Sequence, residues 1–441
     1  MELDVVKPEA RTEVGSYFVA NYPPFSLWTR EQIPAALDVL EQPIEAPEGR
    51  PPLGLYMHIP FCRKRCKFCY FRVYTDKNAS EVDDYMDALA REIALYKGRP
   101  RLAGREFDFV YFGGGTPSFL SNDQLSRLVE RINRHWRWDA AREVTFECEP
   151  GTLKQSKLET IKSIGVTRLS LGIEHWDDEI LEANGRAHRS KEIGVAYAWA
   201  REVGFRQINV DLIAGMVGET EGKWKAAVEK TLAMEPDSVT IYQMELPFNT
   251  TFSKEQRDRG EALVADWATK RRWVGEAFAL FESQGYVVSS GYTLVKPGPD
   301  SAFVYRDALW RGGDMLGTGV ASFSHIGGVH FQNEDKWEGY LPKIDAGELP
   351  IARALPVTAR QRLIREFVLQ MKLGRLDLAY FRAKFGVDPR AEFAEGLEAL
   401  VKADDATIEG DRLTLSRAAL LRVDELLPRF FEREHRGVRY T

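Results

Sequence analysis

The chain has 441 residues, 44% of them hydrophobic and 29% charged, with a formal net charge of −6. That is enough apolar material for one large α/β domain with smaller units around it, and the acidic balance excludes a broad nucleic-acid-binding face. No apolar run reaches the length of a membrane span, and the start Met1-Glu2-Leu3-Asp4 lacks the basic and apolar regions of a secretory signal, so a cytoplasmic location is expected.

Residues 1–50 read as an N-terminal extension, with Tyr22-Pro23-Pro24-Phe25 and a Pro/Glu-rich linker over 42–52. From residue 51 to 290, β-rich runs alternate with amphipathic segments, the pattern of successive βα units on a parallel sheet. Strands are predicted at 53–58, 107–112, 143–147, 168–172, 207–213 and 238–243. Helices are predicted between them at 81–96, 124–135, 154–164, 191–203 and 221–233, where apolar residues recur at helical spacing. The fold class is therefore α/β, a partial (β/α)6 TIM-like barrel whose site lies at the C-terminal ends of the strands. A Gly-rich connecting segment over 291–357 is expected to close that site. Residues 358–441 read as a C-terminal helical or winged-helix-like domain with a β-turn near 406–415, a cap in preference to a DNA reader.

Chemistry concentrates just after the first strand. In the run Tyr56-Met57-His58-Ile59-Pro60-Phe61-Cys62-Arg63-Lys64-Arg65-Cys66-Lys67-Phe68-Cys69 stand three of the four cysteines. Three thiolates in one short loop suit a [4Fe–4S] cube, which takes four ligands, so one iron is left open. Zinc calls for a second ligand pair and none follows, while a disulfide framework needs more than the lone Cys148, which reads as a core residue. Gly113-Gly114-Gly115-Thr116-Pro117 follows the second strand, where missing Cβ atoms permit close approach. Further polar groups fall at strand ends: Glu147 and Glu149, then Glu174 and His175, then Arg186 and His188, then Asp211.

The cysteine loop resembles that of the radical S-adenosylmethionine (SAM) superfamily, which implies SAM bound through its amino and carboxylate groups to the open iron. Residues 56–62, 113–117, 168–173, Arg186, 209–215, 316–320 and Phe331-Gln332-Asn333 together resemble the oxygen-independent coproporphyrinogen III oxidase-like family over nearly the whole chain. The resemblance implies a partial barrel of the radical SAM type with a helical C-terminal domain, and Cys62, Cys66 and Cys69 as cluster ligands. It implies a first SAM held by Tyr56, Gly114 and Glu147, and a second held by Phe68, Gly115, Thr116, Arg186 and Asp211. Glu174 stands where the family oxidase has Gln, and with Tyr56 it is expected in a catalytic role. The implied partners are an unsaturated or tetrapyrrole-like small molecule and an electron donor such as flavodoxin or ferredoxin, with no nucleic acid and no membrane span.

Two departures steer the functional reading. The oxidase carries a further cysteine two residues after its third ligand, whereas this chain reads Cys69-Tyr70-Phe71. Heme chaperones of the family carry a His-Asn-x-x-Tyr-Trp motif, of which the stretch Tyr305-Arg306-Asp307-Ala308-Leu309-Trp310 keeps the Trp. The leading expectation is two-SAM radical C-methylation or cyclopropanation of an unsaturated carbon. Coproporphyrinogen III decarboxylation is the alternative and heme chaperoning the third. Tyr22, Phe25, Trp310, His325 and His330 are weighed as cavity-lining residues, with packing the favoured role.

Overall fold

In a computed structural model describing residues 18–44, 50–248 and 250–438, six strands alternate with helices from Leu53 onward. They are β1 (Leu53–Ile59), β2 (Phe109–Gly114), β3 (Glu143–Cys148), β4 (Arg168–Glu174), β5 (Gln207–Ala214) and β6 (Ser238–Gln243), each parallel to the next. The intervening helices span Ala79–Lys97, Asn122–Asn133, Gln155–Ser163, Ser190–Val203 and Glu221–Ala233. Their ends are written in the sequence. Asn78 and Ser121 close capping boxes with Glu81 and Gln124, and Ser190–Val203 stops at Gly204 in the left-handed region.

Parallel strands covered on both faces usually read as continuous apolar runs, but these alternate. Leu55, Met57, Phe112, Phe146, Leu169, Leu171, Val210 and Val239 are buried and face the helical layer. The intervening positions turn inward and bond to one another: Tyr111 to Glu147, Ser170 to Asp211, and Asn209 to Ser238 and Thr240. The barrel interior is thus polar, with hydrogen bonds offsetting the cost of burial.

The sheet is larger than six strands. It continues past β6 into β7 (Val287–Val288) and β8 (Thr293–Val295), and past β1 into β9 (Asp314–Thr318), β10 (Phe323–Ile326), β11 (Val329–Asn333) and β12 (Ile351–Pro356). Twelve strands run in the order β12-β11-β10-β9-β1-β2-β3-β4-β5-β6-β8-β7. The segment expected as a Gly-rich connector therefore supplies five strands, β8 to β12, with β9 parallel to β1 and the rest antiparallel to their neighbours. A buried Arg105–Asp314 pair at 2.6 Å fixes the start of β9, and Asp314 also accepts from the backbone of Gly327. His325 and His330 sit in this extension, 3.0 Å apart through their Nδ1 atoms, with Trp28 stacked on His330. Trp310 lies beside the Arg306 guanidinium.

The contact pattern divides the described residues into two units, one of 28–358 and one joining 18–27 to 359–438. The extension expected over 1–50 is shared between them, and its residues 1–17 and 45–49 lie outside the described residues. In the second unit, helices Ala359–Met371, Leu378–Phe385 and Ala394–Lys402 accompany a small antiparallel sheet of β13 (Arg375–Asp377), β14 (Ala406–Glu409) and β15 (Arg412–Leu415). Phe367 packs against Phe381, Phe393 and Phe430 at its centre, and the Tyr22 hydroxyl meets His435 Nδ1 at 2.7 Å.

Candidate active site

The chain leaves β1 at Ile59 and enters the cysteine loop, which is tied down at both ends. Cys62 N–H donates to the Tyr74 carbonyl and Tyr74 N–H to that of Pro60, while Lys67 N–H donates to the Asn184 carbonyl. All four cysteines are free; Cys148 is buried, whereas Cys62, Cys66 and Cys69 are half-buried. Donors are aimed at two of the three loop sulfurs: Thr116 Oγ1 lies 3.3 Å from Cys62 Sγ, and Arg186 Nη1 lies 3.3 Å from Cys66 Sγ. Burial pushes the Cys62 thiol up to about 11 and raises that of Cys69, so without a cation these two sulfurs hold their protons.

A second network holds the loop from below. Arg63, between the first two cysteines, makes a bidentate pair with Glu149, with contacts of 2.9 and 3.1 Å. Glu149 also meets His188 Nδ1 at 3.1 Å, and His188 Nε2 meets the Ile173 carbonyl at 3.1 Å. Burial by itself would raise the Glu149 carboxyl, but the bonds from His188 and Arg63 outweigh it and hold the group at about 2. Sequence reading placed Glu149 and His188 near strand ends without linking them, because their partnership crosses from β3 to the segment after β4.

Above the loop, three carboxylates converge. Glu147 accepts from the Tyr111 hydroxyl at 2.7 Å and from Gly114 N–H at 3.2 Å. Burial pushes its carboxyl up to about 7, with Asp211 and Glu174 adding repulsion. Glu174 is also raised to about 7 by burial, which outweighs Arg186 at 3.5 Å. Asp211 is raised by burial against bonds from Ser170 and Asn209. Glu174 carries a φ of 63°, and the β4–β5 register shifts between Gly172 and Glu174. A non-Gly residue held in that region costs about 1 kcal/mol, a strain that concentrates at functional positions.

The glycine loop sits against protein as well as against this site. A Cβ on Gly115 would lie 2.9–3.0 Å from backbone atoms of Ile59 and Phe61, and one on Gly114 would meet the His58 ring at 2.6 Å. Tyr56 stacks on Tyr111 at 5.8 Å, and Tyr305 packs on Tyr111 at 4.4 Å. Tyr305 reaches the barrel because Glu143 accepts from the Val304 and Tyr305 N–H groups. Tyr111 was legible in principle, since it faces the same way as Gly113 two residues on. Phe68 packs against the apolar group of Ile180, Ile213, Met216 and Met244. Tyr70 and Phe71 stack on each other at 4.6 Å and stay 50% and 47% exposed.

Residues 56–231 match the family model described as Radical SAM superfamily. Over that stretch, which carries the cysteine loop and most of the barrel strands, the chain is similar to radical SAM proteins. The oxygen-independent coproporphyrinogen III oxidase of Escherichia coli (strain K12) is 27% identical over 373 residues, covering 82% of this chain and 80% of that one. The heme chaperone HemW of Bacillus subtilis (strain 168) is 27% identical over 336 residues, covering 75% and 86%. The solved coproporphyrinogen III oxidase (HemN) of Escherichia coli superposes with a TM-score of 0.81 at 24% identity, covering 94% of this chain and 96% of that one. The chain is thus similar to the oxygen-independent coproporphyrinogen III oxidases within that superfamily, a likeness that implies a [4Fe–4S] cluster and SAM.

The donor set fits both groups. Three sulfurs with hydrogen-bond donors directed at two of them suit thiolates on iron, whose charge the donors tune. Three buried carboxylates that face one guanidinium leave room for a cation such as a sulfonium or an ammonium.

Proposed function

We propose that Cys62, Cys66 and Cys69 hold the [4Fe–4S] cluster, that Tyr56, Gly114 and Glu147 hold the SAM beside it, and that the chain is an oxidoreductase acting on a propionate-bearing tetrapyrrole. The observation that carries the cofactor part is the carboxylate excess of Glu147, Glu174 and Asp211 next to the thiols. Held by Cys62, Cys66 and Cys69, such a cluster would supply reductive cleavage of SAM and with it hydrogen-atom abstraction chemistry. The chain's own contribution is to place and shield. Tyr56 and Tyr111 form a flat wall, Glu147 anchors a polar group through one oxygen while Tyr111 fixes the other, and Arg186 links the Cys66 sulfur to the Gly172 carbonyl at 2.6 Å. The tetrapyrrole assignment draws on the named activity of the relatives and on Tyr70 and Phe71, whose stacked half-exposed rings suit a flat macrocycle.

The methylation or cyclopropanation expected from sequence becomes the second reading, since the relatives are named as oxidases and a heme chaperone. Two observations favour it: Phe71 stands in place of the oxidase cysteine, and the buried Arg186 Nε has no hydrogen-bond partner among the described residues, which suits the carboxylate of a second SAM. Phe68, Gly115, Thr116, Glu174 and Asp211 complete that candidate set.

Anaerobic reconstitution, followed by coproporphyrinogen III and methyl-deuterated SAM under a chemical reductant, separates the readings. The proposal expects 5′-deoxyadenosine without methyl deuterium, together with carbon dioxide and a vinyl-bearing product. S-adenosylhomocysteine with deuterium in the deoxyadenosine replaces it by the second reading. Heme binding with no deoxyadenosine contradicts both enzymatic readings.

A further inference from the structure

Between residues 56 and 75 the chain carries five cations, Arg63, Lys64, Arg65, Lys67 and Arg72, and no carboxylate, inside a protein whose net charge is −6. Two of the five are neutralised: Arg63 by Glu149 and Arg72 by Asp335 at 3.1 Å. Among the described residues no carboxylate pairs with Lys64, Arg65 or Lys67. Lys64 and Arg65 are exposed and Lys67 is half-buried. Arg65 folds back so that Nη2 donates to the carbonyls of Cys69 and Phe71 at 3.2 and 3.3 Å, and Lys67 Nζ lies 5.2 Å from the Phe252 ring centre. The positive charge is therefore held against the loop that carries the thiols. Glu149, beside the loop, is engaged with Arg63 and His188.

Such an arrangement works against stability in isolation, because three like charges without a carboxylate partner in one four-residue stretch repel one another. It works for association with a partner of opposite sign, where steering acts within about a Debye length, about 8 Å at physiological salt. The three loop cysteines are half-buried, and Lys64 and Arg65 between them are exposed, so the cations stand on the solvent side of the same loop.

We propose that Lys64, Arg65 and Lys67 form the docking surface for an acidic one-electron carrier protein. The proposal rests on the reading of Cys62, Cys66 and Cys69 as cluster ligands. The carrier is oxidised by one electron and the cluster is reduced by one, and the cationic collar brings the two centres within range.

The direct test is binding of an oxidised acidic flavodoxin to the full chain by calorimetry, at low and high salt, with the double variant Lys64→Glu/Lys67→Glu beside the wild type. The expected result is a Kd that rises at least tenfold in the variant and at least tenfold in the wild type between 50 and 300 mM NaCl, order-of-magnitude expectations for a charge-steered contact. Deoxyadenosine formation then serves as the second readout. Driven by flavodoxin, its rate in the variant falls by a similar factor; driven by photoreduced deazariboflavin, a small neutral reductant, it stays within about twofold of wild type. A neutral Lys64→Gln/Lys67→Gln variant should fall between the two. Flavodoxin binding unchanged by variant and salt overturns the proposal, and so does a DNA duplex bound as tightly as the carrier. Failure to take up iron and sulfide overturns the cluster reading itself, a separate result.

Discussion

At the scale of single residues, the site depends on groups that touch no reacting atom. Glu149 holds Arg63 and His188 together under the cysteine loop, and it is depressed to about 2 because both partners favour its ionised form. Replacing it by Gln leaves the Arg63 guanidinium and the buried imidazole with a neutral acceptor. Supporting contacts of this kind are typically worth ~10–100-fold in metal affinity. The reconstituted Glu149→Gln chain is expected to lose iron to a chelator at least ~10-fold faster than wild type, measured by the decay of cluster absorbance. Loss at the wild-type rate would show that the loop is held by its backbone bonds alone. The three cysteines were legible because their spacing is itself the signal. Glu149 was not, since its importance lies in two partners that sequence places 86 and 39 residues away.

At the scale of elements, the cysteine loop and the glycine loop are pressed backbone to backbone. Gly115 N–H donates to the Ile59 carbonyl at 2.9 Å, and the three atoms nearest to an added Cβ all belong to the backbone of Ile59 and Phe61. Backbone cannot swing aside as a side chain can. Gly115→Ala is therefore expected to destabilise the fold by about 1–3 kcal/mol, the range for overpacking, and to lower iron uptake. Urea unfolding of the apo chain and iron content after reconstitution check the two halves of that statement. The six barrel strands were readable because each polar and apolar alternation is long enough to set a face, and their observed ends differ from the expected ones by no more than two residues. The segment after residue 290 was not readable in the same way. Its strands β9 to β11 span five, four and five residues, and β9 pairs with β1 across some 260 residues of sequence, a partnership no local pattern announces.

At the scale of the whole molecule, a buried acidic interior sets the response to pH. Glu92, which accepts from Tyr340, Asn333 and Gly319, is pushed up to about 7 by burial, as are Glu147 and Glu174, from an ordinary 4.5. A raised carboxyl binds its proton more tightly in the folded state, so each of these three removes stability as pH rises from 4.5 through 7. Glu149 acts in the opposite sense, but its contribution is complete above 4.5 and is lost only as pH falls toward 2. The urea midpoint of the apo chain is expected to fall between pH 5 and 8, and Glu92→Gln is expected to flatten that fall; a midpoint rising over this interval would contradict the assignment. In the proposed function the same interior would hold a cationic cofactor among Glu147, Glu174 and Asp211, beside the three-cysteine loop. The most direct test is electron paramagnetic resonance of the anaerobically reconstituted and reduced chain, with and without SAM. The account predicts the signal of a reduced [4Fe–4S] cluster whose shape changes when SAM is added, as expected for a ligand on an open iron. A cluster signal that SAM leaves unaltered, or zinc in place of iron, would contradict it.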